Sequence, residues 1–404
     1  MMVDAKPLVI FVPGLYSSTL EGKSSGGLMG CLRDKWDLPF SLALSLLKGN
    51  SGHSDLALPI TWTKDEHGVY VQDKDDIEPV GCLAFVQDEL LHVLDTLHNN
   101  DLIELHKVVW DWRRSFEEAE SKIASKIESI CSGDFRQAIV LTHSTGAMLT
   151  WPTISKHPEW FSNWVNAAGC LLLGSNTMLG DFVHGWKKSF VNLISKEDFF
   201  SFPGLYSYFP VCGETWGGVG DSDLVKTDGS FLSWEDFNIY DIATWEEFKI
   251  GIFAWKDGEV TEEERTHLKH SLATAKRFRE TNFSQDGKGL EPTFLHKDPN
   301  DYDHLKIVCY GSNSLQSHSA YEINTETKMI DVSATKLTAN GDGTLFSTNW
   351  QTLPGGLKGE IIEAEEGSNH VSLVNDSKLH NVLLDTFFHG DESKKLSATS
   401  LIKK

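Results

Sequence analysis

Short apolar runs alternate with amphipathic segments along the chain. Three of these runs lead directly into turns, and they span Pro7–Gly14, His106–Ser115 and Gln137–Gly146. After the second run, residues 116–130 carry isoleucines at helical spacing, which favours a helix with one buried face. Continuous apolar strands that alternate with such helices are typical of a parallel sheet covered on both faces. We therefore predict an α/β fold with a mostly parallel sheet.

Three further apolar runs extend the predicted sheet. They span Cys170–Ser175, Leu305–Ser312 and Glu360–Ala364. We expect the first to be the fourth strand of the sheet and the second to be the fifth. The third precedes a polar turn that carries a histidine, and it adds one more strand.

Two long segments differ in composition from the predicted sheet and its helices. Residues 22–80 begin with a Gly-rich stretch and contain the sequence KWDLPFSLALSLLKG. Residues 176–300 are rich in aromatic side chains and Gly/Pro turns, and then become charged. We predict that both are insertions. The core of the protein would then comprise residues 1–21, 81–175 and 301–390, followed by a polar, flexible tail at 391–404.

The chain is strongly acidic. Among its 404 residues, 58 are acidic and 36 are basic, which gives a net charge of −22. This charge repels phosphate backbones and argues against a nucleic-acid partner, whereas a lipid can be bound through apolar contact. No apolar run approaches the roughly 18 residues that span a bilayer, and no signal-peptide core is seen. We expect a cytoplasmic protein or one peripheral to a membrane, of undetermined oligomeric state.

The sequence offers no pattern for a cofactor. Its six cysteines are scattered without a C-x-x-C pair, so buried thiols are expected in place of a metal site or a disulfide framework. The glycine motifs that bind phosphate groups of nucleotides are also missing from the sequence. We therefore expect neither a metal nor an organic cofactor.

The segment AIVLTHSTGAMLTW places Ser144 between an apolar strand and a predicted helix. A serine on such a turn is typical of the nucleophile elbow, usually written G-x-S-x-G. Here Thr142 replaces the first glycine, so an ordinary turn serine is the alternative. If Ser144 is a nucleophile, an acid and then a histidine must follow it in the chain.

Asp342 and His370 fit that order. Asp342 lies in the Gly-rich segment NGDGTL, where flanking glycines let the backbone turn sharply; an ordinary Asp-Gly turn is the alternative. His370 follows the strand predicted at Glu360–Ala364 and a Gly-Ser-Asn turn. Its rivals lack this context, and they are His318, His380 and His389.

An acyl-transfer site also needs donors for an oxyanion. One is expected to be the backbone N–H of Thr145, directly after the serine. The other is expected to be the N–H of Leu15, because Gly14 permits a tight turn after the first strand. Elsewhere, Asp111 and Arg113 in the segment WDWRR are better explained as a structural ion pair than as catalytic residues.

Five segments occur in the order found in one enzyme family: IFVPGLYSSTLEGK, VVWDWRRS, LTHSTGA, NGDGTL and EGSNHVSL. In these the chain resembles the lecithin:cholesterol acyltransferase family, which includes lysosomal phospholipase A2 and the phospholipid:diacylglycerol acyltransferases. The resemblance implies an α/β-hydrolase fold and a triad of Ser144, Asp342 and His370. It implies Leu15 and Thr145 as oxyanion donors. It also implies a cap over residues 176–300 and a lipid-contacting insertion near 22–80.

Together these features predict a serine-dependent acyl hydrolase or acyltransferase that acts on lipid esters through an acyl-enzyme. Lipid or phospholipid substrates and a transient contact with a membrane surface follow from this prediction. Trp36, Phe40 and Leu46 are candidate substrate-binding residues, although a helix packed on the core is an equally good account of that stretch. A carboxylesterase for small soluble esters and an inactive lipid-binding scaffold are the alternatives.

Overall fold

The fold is known from a computed structural model. It describes residues 6–22, 57–133, 136–169, 176–184, 196–209, 224–227, 230, 232, 236–283, 295–318, 321–331 and 338–403.

The described strands are short, and six of them form one sheet. In chain order the strands are β1 (Leu8–Val12), β2 (Ser18–Gly22), β3 (Trp62–Lys64), β4 (Tyr70–Gln72), β5 (Ile77–Cys82), β6 (Glu104–Lys107), β7 (Ala138–His143), β8 (Phe161–Ala167), β9 (Leu224–Lys226), β10 (Lys306–Gly311), β11 (Leu315–His318), β12 (Tyr321–Asn324), β13 (Met329–Asp331), β14 (Thr338–Gly341) and β15 (Glu360–Glu363).

The helices lie between these strands and after the last of them. They are α1 (Ala84–Asn99), α2 (Phe116–Cys131), α3 (Thr145–Lys156), α4 (Asn176–His184), α5 (Lys196–Ser201), α6 (Ile242–Glu247), α7 (Ile252–Trp255), α8 (Glu262–Phe283), α9 (Ser347–Gln351), α10 (Ser377–Phe387) and α11 (Glu392–Ile402). Short 3₁₀ turns are found at Pro158–Trp160, Pro203–Tyr208, Pro299–Tyr302, Pro354–Gly356 and Ser372–Asn375.

The central sheet has the strand order β15-β10-β8-β7-β1-β6, and every pair in it is parallel. The chain thus begins inside the sheet, adds β6 on one side, and then builds outward on the other side from β7. Such a reversal creates a crevice at the carboxyl ends of the strands, where ligands bind in α/β proteins. This is the predicted α/β fold with a mostly parallel sheet, and that prediction is confirmed.

Alternate residues of β1 enter two separate cores. Leu8, Ile10 and Val12 pack with the buried faces of α2 and α3, whereas Val9 and Phe11 pack with those of α1 and α10. A strand sends successive side chains to opposite faces of its sheet, so a strand covered on both faces must be apolar throughout. All five residues of β1 are buried, which explains the continuous apolar run in the sequence.

The fourth strand of the central sheet is β8 (Phe161–Ala167), and the sequence pattern did not indicate it. Polar residues interrupt it: Ser162, Asn163 and Asn166. The strand predicted at Cys170–Ser175 lies outside the described residues. The strands expected near Leu305–Ser312 and Glu360–Ala364 are present as β10 and β15.

The WDWRR segment fastens part of the first insertion to the core. The guanidinium of Arg113 is fully buried and bonds Asp111 at 2.8 Å and Asp75 at 2.6 Å. Arg114 donates to the backbone carbonyls of Gln72 and Asp73. These contacts fit the structural ion pair favoured from the sequence. The lipid-contacting candidates of this insertion, Trp36, Phe40 and Leu46, lie outside the described residues.

The described part of the second insertion is an aromatic cluster over the sheet. The ring of Phe182 lies 4.7–5.0 Å from those of Phe199, Tyr206 and Trp245. The longest described helix of this insertion is α8, with 22 residues. Within the described ranges no helix is long and apolar enough to cross a membrane.

Burial raises the pKa of the Cys82 and Cys309 thiols to about 12, which leaves both uncharged and weakly nucleophilic.

His267 connects α8 to the first insertion. Its Nδ1 accepts a hydrogen bond from the Trp62 indole at 3.0 Å, and its Nε2 donates to the Phe200 carbonyl at 2.9 Å. The ring must therefore be neutral. Burial lowers its pKa from the usual 6.5 to about 4.

We predict that His267 makes folding sensitive to acid. Its folded-state pKa is depressed, so between pH 6.5 and 4 the unfolded chain binds the extra proton and stability falls as the pH falls. The loss is up to about 1.4 kcal/mol per pH unit. Urea unfolding at pH 7 and pH 5 should show a shallower pH dependence in His267→Leu than in wild type. An equal dependence in both proteins would contradict this account.

Candidate active site

The backbone of Ser144 forms a sharp corner between β7 and α3. It has φ 50° and ψ −121°, a left-handed conformation that is costly for a residue with a side chain. The N–H of Ser144 donates to the Ala167 carbonyl of β8 at 2.9 Å, which holds this corner against the sheet. The Ser144 side chain does not cap the helix that it precedes. An ordinary turn serine would be expected to cap it, so Ser144 has the geometry of a nucleophile elbow.

Gly146 lets α3 begin directly against the end of β1. A Cβ atom at this position would lie 2.4 Å from the Val12 carbonyl oxygen and 2.8 Å from that of Pro13. Both neighbours are backbone atoms, so any larger residue would push the helix away from the strand. A Cβ on Gly14 would lie 3.1 Å from the Ser144 Cβ, so the loop after β1 lies against the elbow.

Thr142 occupies the place of the first glycine of the elbow pattern. It is fully buried and pairs with Asn166 across the sheet. Its hydroxyl accepts a hydrogen bond from the Trp164 indole N–H at 2.9 Å. Threonine is therefore accommodated because the adjacent strand supplies a donor for its hydroxyl.

Ser144, His370 and Asp342 form one chain of hydrogen bonds. The Ser144 Oγ lies 2.8 Å from the His370 Nε2, and the His370 Nδ1 lies 2.7 Å from the Asp342 Oδ2. The three residues come from turns at the carboxyl ends of β7, β14 and β15. Because the Asp342 oxygen can only accept, the neutral imidazole carries its proton on Nδ1 and presents the Nε2 lone pair to Ser144.

Asp342 is held as a carboxylate. Its side chain is fully buried, and burial alone would raise its pKa. His370 and the backbone N–H groups of Leu345 and Thr344 together lower the pKa by more than burial raises it, so the net shift is downward. Those two N–H groups bond the Asp342 Oδ1 at 2.7 and 2.9 Å. Ser317 of β11 fixes the same turn, because its hydroxyl bonds both the Gly343 N–H and the Leu345 carbonyl at 2.9 Å.

Thr145 and Leu15, the predicted oxyanion donors, lie on the two segments that flank Ser144. Thr145 is the first residue of α3, so its N–H has no acceptor within the helix and lies at the positive end of the helix dipole. Leu15 follows Gly14 in a turn closed by the Ser17 N–H and the Gly14 carbonyl at 3.2 Å.

The rival histidines lie in other surroundings. His380 lies on α10, where its Nε2 donates to the Val374 carbonyl at 3.3 Å. His318 ends β11, and His389 follows α10. Within the described residues, no group of three or more His, Cys, Asp or Glu side chains is arranged to hold a metal ion.

Two residues of the site were not identified from the sequence. The Tyr208 hydroxyl contacts the Thr145 hydroxyl, which brings the aromatic segment before residue 210 next to the elbow helix. His143 Nε2 lies 3.2 Å from the His370 carbonyl oxygen. The adjacency of His143 to Ser144 in the sequence was a signal for the second contact. Nothing in the sequence indicated the first.

The chain was compared with known proteins. No protein-family model matches it, and no curated protein sequence does. Among solved structures it is similar to the mature form of the lipase BlEst2 from Bacillus licheniformis, with 11% identity, a TM-score of 0.37, and coverage of 95% of this chain and 93% of that one. It is similar to Est1E from Butyrivibrio proteoclasticus, with 8% identity, a TM-score of 0.30, and coverage of 100% and 91%. It is also similar to a Bacillus megaterium epoxide hydrolase in complex with an inhibitor, with 9% identity, a TM-score of 0.30, and coverage of 94% of this chain and 93% of that one.

We predict that Thr142→Val destabilises the fold by about 1–3 kcal/mol, because it leaves the buried Trp164 N–H without an acceptor. Thr150→Val is a matched control. Thr150 is also fully buried, but its hydroxyl donates to the Gly146 carbonyl of its own helix, so its loss leaves no donor unpaired. Urea unfolding of both variants checks this, and equal stability losses would contradict it.

Proposed function

We propose that this protein is a serine-dependent acyl hydrolase or acyltransferase that acts on lipid esters. The observation that carries the proposal is the hydrogen-bonded chain from Ser144 through His370 to Asp342, with Ser144 on a strained strand-to-helix corner. This arrangement has the parts that acyl transfer needs: a nucleophile, a base, and an acid that orients the base.

In the first half of the reaction, the Ser144 Oγ attacks the ester carbonyl carbon while its proton passes to the His370 Nε2. The imidazolium that forms is stabilised by the buried Asp342 carboxylate. The carbonyl oxygen gains negative charge and accepts hydrogen bonds from the N–H groups of Thr145 and Leu15. When the tetrahedral intermediate collapses, the carbon–oxygen ester bond breaks and His370 returns the proton to the leaving alcohol. The acyl group remains on Ser144.

In the second half, His370 removes a proton from a water molecule or an alcohol, which attacks the acyl-enzyme. Ser144 leaves and regains the proton from His370. Water yields a free fatty acid, and an alcohol yields a new ester. Neither half requires a metal or an organic cofactor.

The lipid substrate is supported by the resemblance to the lecithin:cholesterol acyltransferase family and by apolar segments near the site. Tyr208 links the aromatic cap to the elbow helix through Thr145, so the cap begins beside the nucleophile. Long acyl chains need an apolar trough, and in this proposal the aromatic side chains of the cap line it. A phospholipid and a transient contact with a membrane surface follow from this proposal.

We predict that Ser144→Ala lowers turnover of an ester substrate by roughly 10⁴-fold or more, as is usual for triad nucleophiles. The circular dichroism spectrum of the variant should match that of the wild type, because the substitution removes only the hydroxyl group. Turnover is measured on both phospholipid liposomes and a short soluble ester. A variant that keeps more than a few per cent of either activity would exclude Ser144 as the nucleophile.

We also predict that Phe40→Asp or Leu46→Asp weakens binding to phospholipid liposomes but spares turnover of a short soluble ester. A charge in a lipid-contacting segment opposes its insertion among lipid chains. Liposome sedimentation and ester turnover are measured side by side. Parallel loss of both would mean that the stretch packs in the core. If neither liposome binding nor ester turnover changes, this stretch does not contact lipid. Separately, a wild-type protein that hydrolyses only soluble esters would favour the carboxylesterase alternative.

A further inference from the structure

His143 is buried between the nucleophile and the general base. It is the last residue of β7, directly before Ser144, and only 3% of it is exposed. Its Nε2 lies 3.2 Å from the His370 carbonyl oxygen, and the two imidazole rings are 5.5 Å apart between centroids. The acceptor is a carbonyl oxygen, so His143 must carry its proton on Nε2.

This hydrogen bond completes a clamp on the backbone of His370. The His370 N–H donates to the Asp342 carbonyl at 2.9 Å, and the His370 carbonyl accepts from His143. The N–H of His370 is thus fixed by the turn that carries Asp342, and its carbonyl is fixed by β7, which leads into Ser144. A donor at His143 therefore ties the position of the base directly to that of the serine.

His143 is also suited to this place because it stays uncharged. Burial, together with the nearby His370, lowers the pKa of His143 to about 3. A second imidazolium at this distance would oppose the positive charge that His370 acquires when it takes the serine proton. The other ring nitrogen, Nδ1, has no hydrogen-bond partner among the described residues, and it faces Gly14 of the oxyanion loop. The His143 side chain thus lies against both the residue that acts as base and the loop after β1.

We propose that His143 is a positioning residue that holds His370 at hydrogen-bonding distance from Ser144. This role rests on the proposed function, because it serves the same triad. A substrate would not touch His143, so its loss should lower kcat while leaving KM nearly unchanged. Misplacing a base by about 1 Å can cost on the order of 100-fold in rate.

The test compares His143→Leu and His143→Gln with His267→Leu as a matched control. His267 is another buried histidine whose Nε2 donates to a backbone carbonyl, and it contacts the cap instead of the triad. Circular dichroism checks that each variant is folded, and His143→Met replaces His143→Leu if the latter is not. Three quantities are measured: kcat and KM on a short soluble ester, and the strongly deshielded proton NMR signal of the His370–Asp342 hydrogen bond.

We expect His143→Leu to lower kcat by about 10–100-fold with little change in KM, and to shift or broaden the deshielded signal. His143→Gln should recover most of kcat, because its amide N–H can donate to the His370 carbonyl. His267→Leu should leave kcat, KM and the deshielded signal at their wild-type values. Wild-type kcat in His143→Leu, or an unchanged signal alongside a lower kcat, would overturn the positioning role. Wild type without turnover would overturn the proposed function, while the NMR signal would still decide whether His143 positions His370.

Discussion

The left-handed backbone of Ser144 is the constraint on which the site depends. A non-glycine residue adopts this conformation only where its surroundings determine it. Here the Ser144 N–H is bonded to β8, and Gly146 allows α3 to start against the carbonyl groups at the end of β1. The corner lifts the Ser144 side chain away from the helix N-terminus, where it would otherwise act as a cap. It directs the hydroxyl toward His370 instead.

The parallel sheet supplies much of the remaining geometry. All six strands run in one direction, so the turns that follow them gather at one edge. His370 follows β15 at that edge, whereas Asp342 follows β14 of a separate two-stranded antiparallel sheet, and the two residues meet through both their side chains and their backbones. The N-terminus of α3 and the loop after β1 lie beside Ser144, which places two candidate N–H donors next to the hydroxyl. Strands of both sheets thus hold Ser144, His370 and Asp342 in place, and in the proposed reaction this preorganisation would be a main source of catalytic power.

Much of this arrangement could be predicted from the sequence because it depends on local patterns. The apolar run of β1, the elbow around Ser144 and the Gly-rich turn of Asp342 each have a signature that a few neighbouring residues carry. Strand β8 does not, because three polar residues interrupt it and one of its two pairing partners, β10, lies far away in the chain. The role of Trp164 in accommodating Thr142 depends on strand register, which no local pattern reveals. The contact between Tyr208 and Thr145 joins segments more than sixty residues apart, so only the folded chain discloses it.

The central claim is that an acyl group passes through the Ser144 oxygen. The most direct measurement is to quench wild-type protein in acid while it turns over a slowly deacylating ester, digest it, and locate the adduct by mass spectrometry. The account predicts that the acyl mass is found on the peptide that contains Ser144 and that hydroxylamine removes it. An acyl group on another residue, or steady turnover with no covalent adduct at any time of quenching and no burst of released alcohol, would contradict it.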